Sequence, residues 1–102
     1  MFILVYTTAS SKKEAEGIAK TLLKEKLVAC VNYFPVTSLY RWNGKTVSGC
    51  EYALFCKTTK KNFSKVKNAI NRVHSYELPA IISLPLENGD ADYLRWIARS
   101  VR

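Results

Sequence analysis

The dipeptide Asn43-Gly44 sits inside a run of strand-forming residues from Leu27 to Thr58, and it constrains the fold more than any other feature of the chain. A two-residue type I′ turn needs φ > 0 at both central positions, which asparagine and glycine supply readily. The run therefore reads as one long β-hairpin closed at this point. With Trp42 facing Lys45 across the turn, counting back along both arms sets Tyr40 opposite Val47 and Val36 opposite Glu51. Pro35 brings no N–H to the ladder, so the first arm is expected to bend or slip there. At roughly 3.3 Å per residue a straight first arm would reach about 50 Å, whereas a domain of about 100 residues is about 35 Å across. Either the hairpin folds over at Pro35, or its tip, with Tyr40, Trp42, Gly44 and Lys45, projects onto another chain.

The segments around the hairpin supply the other elements. Phe2 to Tyr6 is an unbroken apolar run, as expected of a strand central in its sheet or covered on both faces. Ser11-Lys12-Lys13-Glu14 has capping-box spacing, with the glutamate expected to reach back to the serine amide. Ala15, Ile18, Ala19 and Leu22 then follow at helical intervals up to about Lys26. Lys60 to Val73 carries Phe63, Val66, Ala69, Ile70 and Val73 on one helical face. The segment from His74 to Pro79 breaks that period and reads as a loop, because Pro79 pushes Leu78 out of the helical region. Ala80 to Leu84 reads as a strand, and Asn88-Gly89-Asp90 as a turn and cap for a third helix from Ala91 to Val101.

The order β-α-β-β-α-β plus a carboxy-terminal helix is that of an α+β, ferredoxin-like sandwich. With 102 residues, 48% of them hydrophobic, residues 1–102 are expected to form a single domain with its own core. In that topology the last strand is an edge, and an apolar edge needs covering by a helix or another chain. The overlong hairpin and a third helix apolar on two sides add to this, so a homo-oligomer is expected.

Sixteen Lys and Arg against eight Asp and Glu give a net charge of +8, which brings anionic partners into consideration. Most of the excess, including Lys12, Lys20, Lys61 and Lys65, falls on the polar faces of the two long helices and reads as solvated surface. The segment Glu51 to Lys57 lacks the basic-Gly-aromatic pattern of an RNA-binding third strand, so nucleic acid is not an expected partner. Three cysteines without CxxC spacing and an amino end unlike a signal sequence point to a soluble, cytoplasmic protein with free thiols. The Phe2 to Tyr6 run is too short to span a membrane.

Signatures of phosphate binding and nucleophilic catalysis are absent, and Asp90 and Asp92 read as helix-capping carboxylates, so no enzyme is expected. The groups left with chemistry are Cys30, Cys50, Cys56, His74 and Glu77. His74 and Glu77 stand three residues apart, close enough to share one side of a turn, and with a thiolate they would suit Cu(I), Cu(II) or Zn(II). The alternative is a charged histidine at a helix C-terminus with Glu77 as its ion-pair partner.

Five blocks of the chain, in order and at matching separations, resemble the CutA divalent-cation tolerance family. They are Leu27 to Asn32, Tyr40 to Lys45, Glu51 to Thr58, His74 to Ile81 and Asp92 to Trp96. The resemblance implies a cytoplasmic homotrimer similar in architecture to PII signalling proteins, with hairpins packed on neighbouring subunits and clefts between them. It implies a role in divalent-metal tolerance, with copper foremost, and no established reaction. By position, Cys30 and His74 match the metal-linked residues, while Trp42, Glu51, Lys57 and Tyr76 match residues of the intersubunit cleft. Thr7, Val73 and Ser75 depart from the pattern: some bacterial members have cysteine and a second histidine at the first two, and proline is usual at the third. One nitrogen ligand per subunit is left. A PII-like sensor that binds a small anionic ligand near Lys57 is the rival reading.

Overall fold

A computed structural model describes all 102 residues. Its elements are β1 (Phe2–Ala9), α1 (Lys12–Lys24), β2 (Cys30–Trp42), β3 (Lys45–Thr59), α2 (Phe63–Val73), β4 (Ile81–Pro85) and α3 (Ala91–Ser100). The four strands form one antiparallel sheet in the order β2-β3-β1-β4, so β1 is internal and β4 is an edge, as expected.

The hairpin turns at Asn43 and Gly44, whose φ values are 51° and 75°. Trp42 pairs with Lys45, Tyr40 with Val47 and Val36 with Glu51, and the same register runs on to Cys30 opposite Lys57. The slip expected at Pro35 does not occur. Antiparallel pairs alternate between hydrogen-bonded and non-bonded, and counting from the turn places Pro35 and Tyr52 at a non-bonded pair. Because β2 is an edge strand, an N–H at that position would point away from β3 into solvent, so the ladder loses nothing to proline. The hairpin therefore runs straight, and the molecule measures 44 × 26 × 21 Å.

Side-chain alternation divides the sheet into two unlike faces. One carries Ile3, Val5, Leu54 and Cys56 and is covered by α1 and α2, whose Ile18, Leu22, Val66 and Ile70 complete the core. Leu27 and Val28, expected to open the first arm, instead turn into this core and are each 2% exposed. Lys26 takes φ 57° there, and the Thr58 hydroxyl donates to the Leu27 carbonyl at 2.6 Å. Val73, expected on the apolar stripe of α2, is exposed at the helix end.

The opposite face carries Leu4, Tyr6, Phe34, Phe55, Ile82 and Leu84 in register. Phe34 and Phe55 pack edge to face with centroids 5.1 Å apart. α3 reaches one end of this face, where Lys57 Nζ donates to the Tyr93 hydroxyl at 3.0 Å. Ile82 and Leu84 remain 55% and 47% exposed. Within the single chain β1 is central in the sheet and the helices cover one of its faces.

Candidate functional site

Two devices tie the loop after α2 to the rest of the fold. The first is Glu14. Its backbone N–H donates to the capping Ser11 Oγ at 3.1 Å, but its carboxylate does not return to the Ser11 amide as the capping-box spacing suggests. Oε1 accepts from the backbone N–H and the hydroxyl of Ser10, each at 2.8 Å, and Oε2 accepts from the Ser75 N–H at 2.8 Å. Burial by itself would raise the Glu14 pKa; the hydrogen bonds from Ser10 and Ser75 outweigh it and hold the carboxyl at about 2.

The second is His74, whose side chain is fully buried. Tyr76 N–H donates to Nδ1 at 3.0 Å, which makes Nδ1 the acceptor and leaves Nε2–H to donate to the Thr8 carbonyl at 2.6 Å. Both ring nitrogens are thus in use. The carboxylate nearest the ring is Glu14, at 3.8 Å from Nδ1, and not Glu77 as sequence spacing suggests.

Anchored this way, the loop faces the hairpin tip across a groove of about 600 Å³. Tyr6, Tyr40, Trp42 and Tyr76 line it, and its charged groups are the carboxylates of Glu51 and Glu77. Glu51 Oε1 accepts from Ser38 Oγ at 2.6 Å and Oε2 from the Tyr76 hydroxyl at 2.7 Å. Burial pushes the Glu51 carboxyl up, but the bonds from Ser38, Tyr76 and Thr8 together bring it below the ordinary glutamate value. Burial and the Glu51 bond push the Tyr76 phenol up, so it stays a donor.

Of the four expected cleft residues, Trp42, Glu51 and Tyr76 meet in this groove and Lys57 does not. Lys57 pairs with Cys30 and Leu4 and lies six residues along β3 from Glu51, about 20 Å away at strand spacing. Its pKa is raised, first by the Tyr93 hydrogen bond and then by the nearby Cys30. The three expected metal-linked residues also lie apart: Cys30 opens β2, His74 is buried below the groove, and Glu77 stands on the groove wall. No group of three or more His, Cys, Asp or Glu side chains is arranged to hold a metal within one chain. Burial, then the charge of Cys30, pushes the Cys56 thiol up to about 12, while Cys50 is exposed.

Residues 3–100 match the family profile described as CutA1 divalent ion tolerance protein. The chain belongs to this family. Among CutA relatives, the divalent-cation tolerance protein CutA of Archaeoglobus fulgidus is 43% identical over 99% of both chains. That of Thermus thermophilus is 42% identical over 92% of both. Protein CutA of Homo sapiens is 34% identical over 90% of this chain and 52% of its own. The solved CutA structure from A. fulgidus superposes with a TM-score of 0.98 at 42% identity, covering both chains fully. The Thermus structure gives 0.97 at 40% identity, again over both chains.

Proposed function

We propose that this CutA family member is a subunit of a cytoplasmic homotrimer that binds divalent metal ions, copper foremost, and turns over no substrate. The full-length match to relatives named for divalent-cation tolerance carries the reading. The apolar sheet face and the projecting hairpin support the assembly, since both leave surface that a single chain does not cover. Of the three expected metal-linked residues, the Cys30 thiol and the Glu77 carboxylate are the donors not tied up in hydrogen bonds within the chain. His74 joins them only by giving up Thr8 or Tyr76. A metal then has to draw donors from more than one subunit, and a soft thiolate among them favours copper.

Titration of the purified, chelator-treated protein with Cu(II), Zn(II) and Mg(II) tests this. Cu(II) is expected to raise the melting temperature in a dose-dependent way, and Cys30→Ser with Glu77→Gln is expected to abolish that rise. No shift with any of the three ions would count against metal binding. The rival, a sensor for small anions, has in its favour the charge held at Lys57 beside Tyr93; stabilisation by nucleotides alone would select it. Free thiols favour the cytoplasm, whereas the A. fulgidus structure is described as a periplasmic divalent cation tolerance protein. Cell fractionation decides between the two compartments.

A further inference from the structure

The net charge of +8 is not spread evenly over the molecule. Residues 11–26 and 60–73, the segments of α1 and α2, hold ten Lys and Arg against three Glu, whereas the rest of the chain holds six against five. Both helices cover the same face of the sheet, so nearly the whole surplus lies on one side. On α1, exposed Lys13, Lys20 and Lys24 fall at helical spacing opposite the buried Ala15, Ile18 and Leu22. On α2, exposed Ser64, Asn68 and Asn71 lie opposite the buried Val66, Ala69 and Ile70, with Lys61 and Lys65 along one flank. The carboxylates of this layer are engaged elsewhere: Glu14 by Ser10 and Ser75, Glu16 by the Tyr33 hydroxyl, Glu25 by Arg72. No lysine of the layer is in an ion pair. A face that only keeps a protein soluble mixes both signs; this one is nearly all positive, and its field draws anions.

We propose that the layer of α1 and α2 binds double-stranded nucleic acid through its phosphate backbone, without reading sequence. Lys13, Lys20, Lys24, Lys61 and Lys65 supply the charge. Ser64, Asn68 and Asn71 supply neutral hydrogen bonds, and all of these side-chain types contact phosphates. Lys13 to Lys24 spans about 17 Å along the helix axis. A duplex carries about ten charges over that length, roughly half of them on the near side, so the five lysines meet a comparable number of phosphates. β3 lacks rings for stacking single-stranded bases, which is why the sheet is not an expected nucleic-acid surface; a duplex backbone asks for no rings. An anionic membrane is the poorer partner, because the apolar faces of α1 and α2 are buried in the core and leave nothing to insert. Subunits that close on one another through the bare sheet face also turn their helix layers outward in different directions, and a flat bilayer meets few of them. The surface rests on the assembly reading in one respect: contacts between chains use the sheet face and the hairpin, not the helix layer.

The test uses the full chain in its native assembly, chelator-treated, with short labelled DNA duplexes of two unrelated sequences. Both are expected to bind with a Kd of about 10⁻⁴ to 10⁻⁶ M near physiological salt and to differ by no more than about threefold. The slope of log K against log salt is expected at about −4, from about 0.9 per phosphate neutralised. Lys20→Gln with Lys65→Gln is expected to make that slope shallower by about 2. Arg95→Gln with Arg99→Gln removes the same net charge from α3 and is expected to leave the slope unchanged. Sedimentation checks the assembly of each variant. Amine labelling read by mass spectrometry serves the unmodified chain, where the duplex is expected to shield Lys20 and Lys65. No binding at low salt, an equal loss in the α3 pair, or a strong preference for one sequence would each overturn the proposal. So would tighter binding to phosphatidylserine vesicles or to polyglutamate than to the duplex at equal charge. If Lys20 and Lys65 are already unreactive in the free trimer, the helix layer lies at a contact between chains, which sinks this surface and leaves the assembly standing. A monomer that binds the duplex with the same slope keeps the surface and sinks the assembly.

Discussion

Glu14 joins three segments that are distant along the chain: its own helix, the end of β1 through Ser10, and the loop after α2 through Ser75. Its folded pKa of about 2 lies below the ordinary 4.5, so the ionised carboxylate stabilises the fold fully above pH 4.5, and that contribution is lost as pH falls toward 2. Glu14→Gln should cost about 1.5–3 kcal/mol at neutral pH, the range for hydrogen bonds to a charged group. Denaturant unfolding should show the variant's stability depending less on pH across that window. The same stability loss at every pH would mean that the carboxylate charge is not what matters. Cys56 gives a second expectation at this scale. A thiol fully buried and pushed up to about 12 should react with a thiol reagent only as fast as the chain unfolds globally, while exposed Cys50 reacts at once. Rapid modification of all three thiols in the native protein would contradict the packing around β3.

At the scale of elements, the hairpin separates what a sequence can disclose from what it cannot. Asn43-Gly44 fixes the pairing of Tyr40 with Val47 and of Val36 with Glu51, because turn geometry is local. The behaviour of Pro35 depends on which side of β2 lies open, and that follows from strand order, a tertiary fact. Pro35→Val is therefore expected to change stability by under about 0.5 kcal/mol. Val36→Pro, at a pair where the N–H points into the ladder, should cost about 3 kcal/mol. Similar losses at the two positions, measured by thermal or denaturant unfolding, would contradict the assigned alternation. The site was legible in the same uneven way. Ser38 beside Glu51 follows from the register, since diagonal neighbours on one face of a hairpin meet. The Glu14 bond to Ser75 has no such signal across 61 residues, and the capping-box spacing gave the carboxylate a sufficient local partner. Resemblance grouped Lys57 with Trp42, Glu51 and Tyr76, but in a single chain alternation along β3 keeps it on their face and strand rise carries it away. His74 and Glu77 are close in sequence, yet the chain turns the imidazole inward to Thr8 and Tyr76 and leaves Glu77 on the groove wall.

Across the whole molecule, a 102-residue chain stretches 44 Å along its hairpin and leaves Trp42, Ile82 and Leu84 between 45% and 55% exposed. The helix-covered face folds the subunit; the other face, with its apolar register and edge strand, has no second layer along most of its length. Trp42→Ala should accordingly weaken assembly while leaving the far-UV circular dichroism of the subunit intact, because the ring contributes nothing to the helix-covered core. Loss of secondary structure in that variant would place Trp42 in the fold and not at the contact between chains. The central claim is that copies of this chain close on one another, and analytical ultracentrifugation of the unmodified protein at micromolar concentration tests it most directly. A single species at three times the 11.6 kDa chain mass is expected; a stable monomer at 11.6 kDa would contradict it.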